Sequence, residues 1–68
     1  MKNLKRIRLS RNLSQSDLSE VAEVKLVNIQ HYETGVRNIN KAQVDNVYKL
    51  SLALNCSIED LIEKEDIE

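Results

Sequence analysis

Apolar residues recur along this chain at intervals of three and four, and most of the runs they form end at a residue that tolerates a left-handed backbone. Leu4 and Ile7 stand three apart with charges between them, and the pattern stops at Asn12. This predicts a first helix from about Lys2 to Arg11. Ser14 followed by Asp17 reads as a capping box, with Leu18 and Ala22 as the stripe behind it, so a short second helix is expected over about Gln15 to Ala22. Glu23 and Val24 make a tight connection. Ile29 and Tyr32 then define a third helix over about Leu26 to Thr34, closed by Gly35. Asn40 is read as the N-cap of a longer helix over about Lys41 to Leu54, in which Val44, Val47, Leu50, Ser51 and Leu54 share one side and Asn55 closes the end. Ser57 with Asp60 forms a second capping box, and Ile58, Leu61 and Ile62 supply the apolar face of a fifth helix.

Composition sharpens this to an all-α class. The chain has no proline, one glycine and two aromatic residues, Tyr32 and Tyr48, which leaves little to punctuate strands or hairpins. Its 68 residues suffice for a single domain with one small core, read as spanning 1–63 with an acidic, frayed tail over 64–68. No apolar stretch exceeds three residues, so a membrane span is not expected. A lone cysteine and a charged N-terminal segment without an apolar run fit a reducing, cytoplasmic setting.

The formal net charge is -1, but the charges are segregated. Lys2, Lys5, Arg6, Arg8 and Arg11 face no acid in the opening segment, whereas Glu59, Asp60, Glu63, Glu65, Asp66 and Glu68 crowd the end around Lys64. Such asymmetry is compatible with one face for phosphates and another turned away from them.

Four words in order carry a family resemblance: Leu4-x-x-Ile7-Arg8; Leu13-Ser14-Gln15-x-x-Leu18; Val24, Ile29 and Tyr32-Glu33-x-Gly35; and Ala53-Leu54-Asn55-Cys56-Ser57-Ile58-Glu59-Asp60-Leu61. From Leu4 to Ile62 the sequence resembles the phage-repressor and Cro-like helix-turn-helix family, often called the XRE family. The resemblance implies a five-helix, lambda-repressor-like bundle in which helices 2 and 3 form the helix-turn-helix, and a transcriptional regulator of double-stranded DNA, most naturally a repressor. It further implies that Arg8 and Glu33 pair as a structural link between helices 1 and 3, that Gln15 contacts a phosphate, and that Cys56 is a buried, inert thiol.

The sequence departs from the family in two places. Glu23 occupies the turn position where the family usually has glycine; a left-handed glutamate would be strained by ~1 kcal/mol, so a differently wound turn is expected. At the head of helix 3, where the family often presents polar side chains, this chain has Leu26 and Val27.

In a helix-turn-helix the third helix enters the major groove, so the side chains pointing away from Ile29 and Tyr32 are the candidates for base contact: Lys25, Leu26, Val27, Asn28 and His31. Asn28 suits adenine, Lys25 guanine or a phosphate, and Leu26 or Val27 the thymine methyl group, unless the latter two face the core or a protein partner. Phosphate contacts are expected from Gln15 at the head of helix 2 and from Arg37, Asn38 and Lys41. No cofactor or metal is expected: one histidine and one cysteine are too few soft ligands, and no catalytic motif is present. The rival to DNA binding is a protein-binding module on the same fold, of the antitoxin or antirepressor-partner kind. A homodimer on a pseudo-palindromic operator is expected, with Ile39, Ile58, Leu61 and Ile62 as its interface.

Overall fold

The computed structural model describes residues 1–64. The segment expected to form an acidic tail lies outside the described residues except for Lys64. Five α-helices follow one another with no strand among the described residues: α1 (Asn3–Ser10), α2 (Gln15–Ala22), α3 (Leu26–Thr34), α4 (Val44–Leu54) and α5 (Ile58–Leu61), with one 3₁₀ turn, Ile39–Lys41, before α4. α2 lies against α3 and α4, while α1 contacts α3 and α5. Leu4, Leu18, Ile29, Leu50, Leu54 and Leu61 are the largest fully buried side chains, so every α-helix commits at least one residue to a single core. Each such burial contributes roughly 1.5–3 kcal/mol.

Local chemistry explains the helix ends. Both capping boxes form: the amide of Asp17 donates to Ser14 Oγ at 2.9 Å and that of Asp60 to Ser57 Oγ at 3.1 Å, with each carboxylate accepting from the cap's own amide. Left-handed residues close the helices, with φ of 59° at Asn12, 88° at Gly35 and 54° at Asn55. Arg11 reinforces the end of α4, its Nε donating to the Leu54 carbonyl at 2.8 Å, where a cation favours the negative end of the helix dipole.

Three expectations need correction. First, the turn between α2 and α3 is not wound around the missing glycine: Glu23 itself takes the left-handed conformation, φ 58°. Ser19 holds the turn, its Oγ donating to the Val24 carbonyl at 2.6 Å while its carbonyl accepts from the Val24 amide. Buried Val24 anchors the turn to the core, which offsets the strain.

Second, α4 starts at Val44, not Lys41, and Asn40 does not cap it. Asn38 Oδ1 accepts from the Asn40 amide and turns residues 39–41 into the 3₁₀ segment, and the chain enters α4 through Gln43, which makes no side-chain cap. Asn40 reaches instead to Glu63, Nδ2 donating to its carbonyl at 2.7 Å and Oδ1 accepting from its amide at 2.8 Å. Asn3 Nδ2 donates to the Ile62 carbonyl, so two asparagines tie the end of the domain to its start and middle. Val44, placed by pattern in the buried stripe, is exposed.

Third, the expected dimer surface is partly core. Ile39 and Leu61 are 4% and 0% exposed, because the 3₁₀ turn drives Ile39 inward and α5 rests its one buried residue between α1 and α4. Neither is available to a second molecule. Ile58 is half-buried against the core, and Ile62 is half-buried just beyond α5.

Since Glu23 carries a Cβ in a region that favours glycine, Glu23→Gly should raise stability by about 1 kcal/mol. The check is a urea midpoint that increases at unchanged m-value; a lower midpoint would show that the Glu23 side chain contributes more than its backbone costs.

Candidate nucleic-acid interface

One buried polar network joins α1, the head of α2 and the inner face of α3. Arg8, on α1, donates from Nε to Glu33 Oε2 at 2.7 Å and from Nη2 to Glu33 Oε1 at 3.0 Å, so guanidinium meets carboxylate in a two-pronged pair. Its Nη1 donates to the Leu13 carbonyl at 2.8 Å, fixing the loop that leads into α2. Gln15 Nε2 then donates to Glu33 Oε1 at 2.9 Å. The hydrogen bond from Arg8 to Glu33, aided by the carboxylate's charge, raises the arginine pKa above its ordinary value and keeps the cation charged despite burial. The structure thus brings Arg8, Glu33 and Gln15 together, and Gln15 is held in place from behind.

At the head of α2, Ser14 satisfies the Asp17 amide, whereas the amides of Gln15 and Ser16 lie in the first turn and have no intrahelical acceptor. They share the positive end of a helix eight residues long, where an anion is favoured.

Along α3, Ile29, Tyr32 and Glu33 are buried and define the inner face. Leu26, Val27, Gln30 and Thr34 are exposed, and Asn28 and His31 are half-buried on the flanks. Lys25 precedes the helix as its N-cap residue and is exposed. Gln30 was not among the residues picked from sequence. Its position four after Leu26 and three after Val27 is the signal that finds it, since these spacings share a face. Asn28 turns toward a concavity of about 280 Å³ that it lines with Tyr32, Arg37, Lys41, Ala42, Gln43 and Asn46. Asn46 Nδ2 donates to the Tyr32 hydroxyl at 3.5 Å across this hollow. Arg37 and Lys41 are exposed at the hollow and supply its two cations. Asn38 uses its side-chain oxygen on the 3₁₀ turn.

His31 is placed in the second half of α3, and its Nδ1 is buried without a hydrogen-bond partner. Cys56 is half-buried; burial first, and the Asp60 carboxylate next, push its thiol pKa up, away from the reactive thiolate. The basic opening segment does not form one face. Arg8 is buried in its ion pair, Arg11 is bonded to the end of α4, and Arg6 Nη2 donates to Asn3 Oδ1 at 3.2 Å. Composition counts cations but does not distinguish those spent inside the fold.

A family model of helix-turn-helix domains matches residues 4–61, from the first buried leucine to the last. Neither the curated proteins nor the solved structures return a match.

Removal of the guanidinium would leave Glu33 buried and unpaired, so Arg8→Ala should destabilise the domain by roughly 3–5 kcal/mol. Thermal melting followed by circular dichroism checks this. A variant that melts like the parent would show that the pair adds nothing to stability.

Proposed function

This chain belongs to the helix-turn-helix family of the XRE, Cro-like kind, and from that premise we propose that it is a transcriptional repressor that reads a double-stranded operator with α3. The observation that carries this reading is the continuity of three features. These are a helix head with unpaired amides at Gln15 and Ser16, an exposed face on α3, and the hollow bearing Arg37 and Lys41.

Phosphate contacts position such a domain and base contacts specify its site. Gln15, held through Glu33 by Arg8, presents its amide at the head of α2 to one phosphate, and Arg37 and Lys41 hold another, with Asn38 beside them. Between these anchors α3 enters the major groove. Leu26 and Val27 pack on thymine methyl groups, Gln30 or Asn28 reads adenine through paired hydrogen bonds, and Lys25 and His31 reach the flanking edges. Two copies, each reading one half-site of a pseudo-palindrome with centres about 34 Å apart, complete the operator complex. Occupancy of that site in a reducing cytoplasm, without cofactor, is sufficient for repression.

Anisotropy titration against mixed DNA fragments tests the reading. Binding should weaken steeply between about 50 and 200 mM salt as counterion release is suppressed. Absence of binding at any salt would overturn the proposal and hand the apolar head of α3 to a protein partner.

Two variant classes separate anchors from readers. Gln15→Ala and Arg37→Ala should weaken binding to all sequences alike, whereas Asn28→Ala should cost roughly 1–3 kcal/mol at one base pair and relax the preference there. Selection from random DNA checks this. A loss confined to one sequence would reassign Gln15 and Arg37, and an unchanged motif would remove Asn28 from the reading set.

A further inference from the structure

Of the nine large apolar side chains exposed among the described residues, Val21, Val44, Tyr48 and Leu52 fall on α2 and α4, while Met1, Leu9, Leu26, Val27 and Val36 lie elsewhere. α4 carries Val44, Tyr48 and Leu52 at successive intervals of four, 70%, 53% and 64% exposed. Residues so spaced lie on one face of a helix, here forming a stripe about 12 Å long. Val21, on α2, is 61% exposed and shares a shallow concavity with Leu52 and Lys49. Each of these four residues is more than half exposed, and an apolar patch retained at a surface is often functional.

We infer that this face of α4 is a self-association surface, on which a second copy of the chain packs its own α4 antiparallel across a two-fold axis near Tyr48. The inference builds on the pairing of two copies proposed above, but it names a surface whose test needs no DNA. Self-pairing is indicated by the charges. Asp45 and Lys49 flank the stripe on one side, four residues apart, and among the described residues neither has an ion-pair partner within the chain. A two-fold axis that pairs the stripe with itself sets Val44 against Leu52 of the second copy and keeps the charged flanks on the same side. Asp45 of each molecule then meets Lys49 of the other, twice. The charge pair is centred one residue from the stripe's midpoint, so Asp45 and the second copy's Lys49 are staggered along the axis by about 3 Å, which the lysine stem spans.

A patch of four side chains is small for a specific interface, so the association is weak and reversible.

Sedimentation equilibrium of the full chain over about 5–500 µM, without DNA, should show a monomer–dimer equilibrium. Leu52→Lys should abolish it without lowering the melting temperature, since Leu52 is exposed. Asp45→Lys and Lys49→Asp should each raise the dimer Kd roughly tenfold by placing like charges together twice, and an equimolar mixture of the two should recover association, because each new charge then faces its opposite. A monomeric parent over the whole range would overturn the inference and assign the face to another protein. So would a Leu52→Lys variant that associates like the parent, or a mixture that associates no better than its components. DNA binding retained by a monomeric parent would leave the operator reading intact while this inference falls.

Discussion

The ion pair between Arg8 and Glu33 is the constraint on which the arrangement of the domain rests. Both side chains are almost wholly buried, and burying two charges costs several kcal/mol per ion unless the geometry satisfies them fully. Here the satisfaction is close to complete. The guanidinium spends three nitrogens, two on the carboxylate and one on the Leu13 carbonyl, while the carboxylate also accepts from Gln15. A hydrophobic pair of the same volume would hold α1 against α3 as strongly, yet it would fix neither the entry to α2 nor the Gln15 amide. The polar network joins the head of α2 to α3 through one buried carboxylate.

Around that network, helix lengths are set by residues that accept a left-handed backbone. Among the described residues four positions adopt it, and glycine fills one of them, Gly35. Asparagine fills two at modest cost, since its short amide tolerates this region. Glu23 is the outlier, and the turn that contains it is secured by the two Ser19 hydrogen bonds and the burial of Val24. The strain falls where the angle between α2 and α3 is decided, and that angle determines how α3 is presented to a groove.

These relations also explain what could be read from the sequence. α2 and α3 were legible to the residue, and α1 to within one, because their ends are written in local chemistry: a capping box, an asparagine, a glycine. The start of α4 was not legible. Asn40 has the chemistry of an N-cap, but it spends that chemistry on Glu63, 23 residues away, and nothing local announces a long-range partner. The same limit applies to Ile39 and Leu61, whose exposure depends on a 3₁₀ turn and on the docking of a four-residue helix. At the candidate interface, the helical period located the outer face of α3, and Gln30, four residues after Leu26, lies on that face by the same period. Arg8 and Arg11 were counted with the basic segment because charge reads identically whether a side chain is solvated or committed inside the fold.

Commitment of those arginines has a consequence for affinity. With Arg8 in the ion pair and Arg11 on α4, the cations beside α3 are Lys25, Arg37, Lys41 and, at its C-terminal end, Lys2. Each phosphate neutralised contributes a salt slope of about -0.9, so on the proposed reading one protomer with only a few such contacts has little electrostatic affinity at physiological salt. A chain of net charge -1 gains little further from its overall field. Doubling the contacts through a second protomer is then the economical route to a specific complex, and a weak apolar stripe is better suited to it than a strong one. On the proposed reading, a weak dimer is populated mainly on DNA, where both half-sites hold the copies together, and it separates from non-operator DNA where only one protomer finds purchase. The modest size of the α4 face is thus consistent with the small number of free cations beside α3: each is insufficient alone, and together they make occupancy depend on two adjacent half-sites.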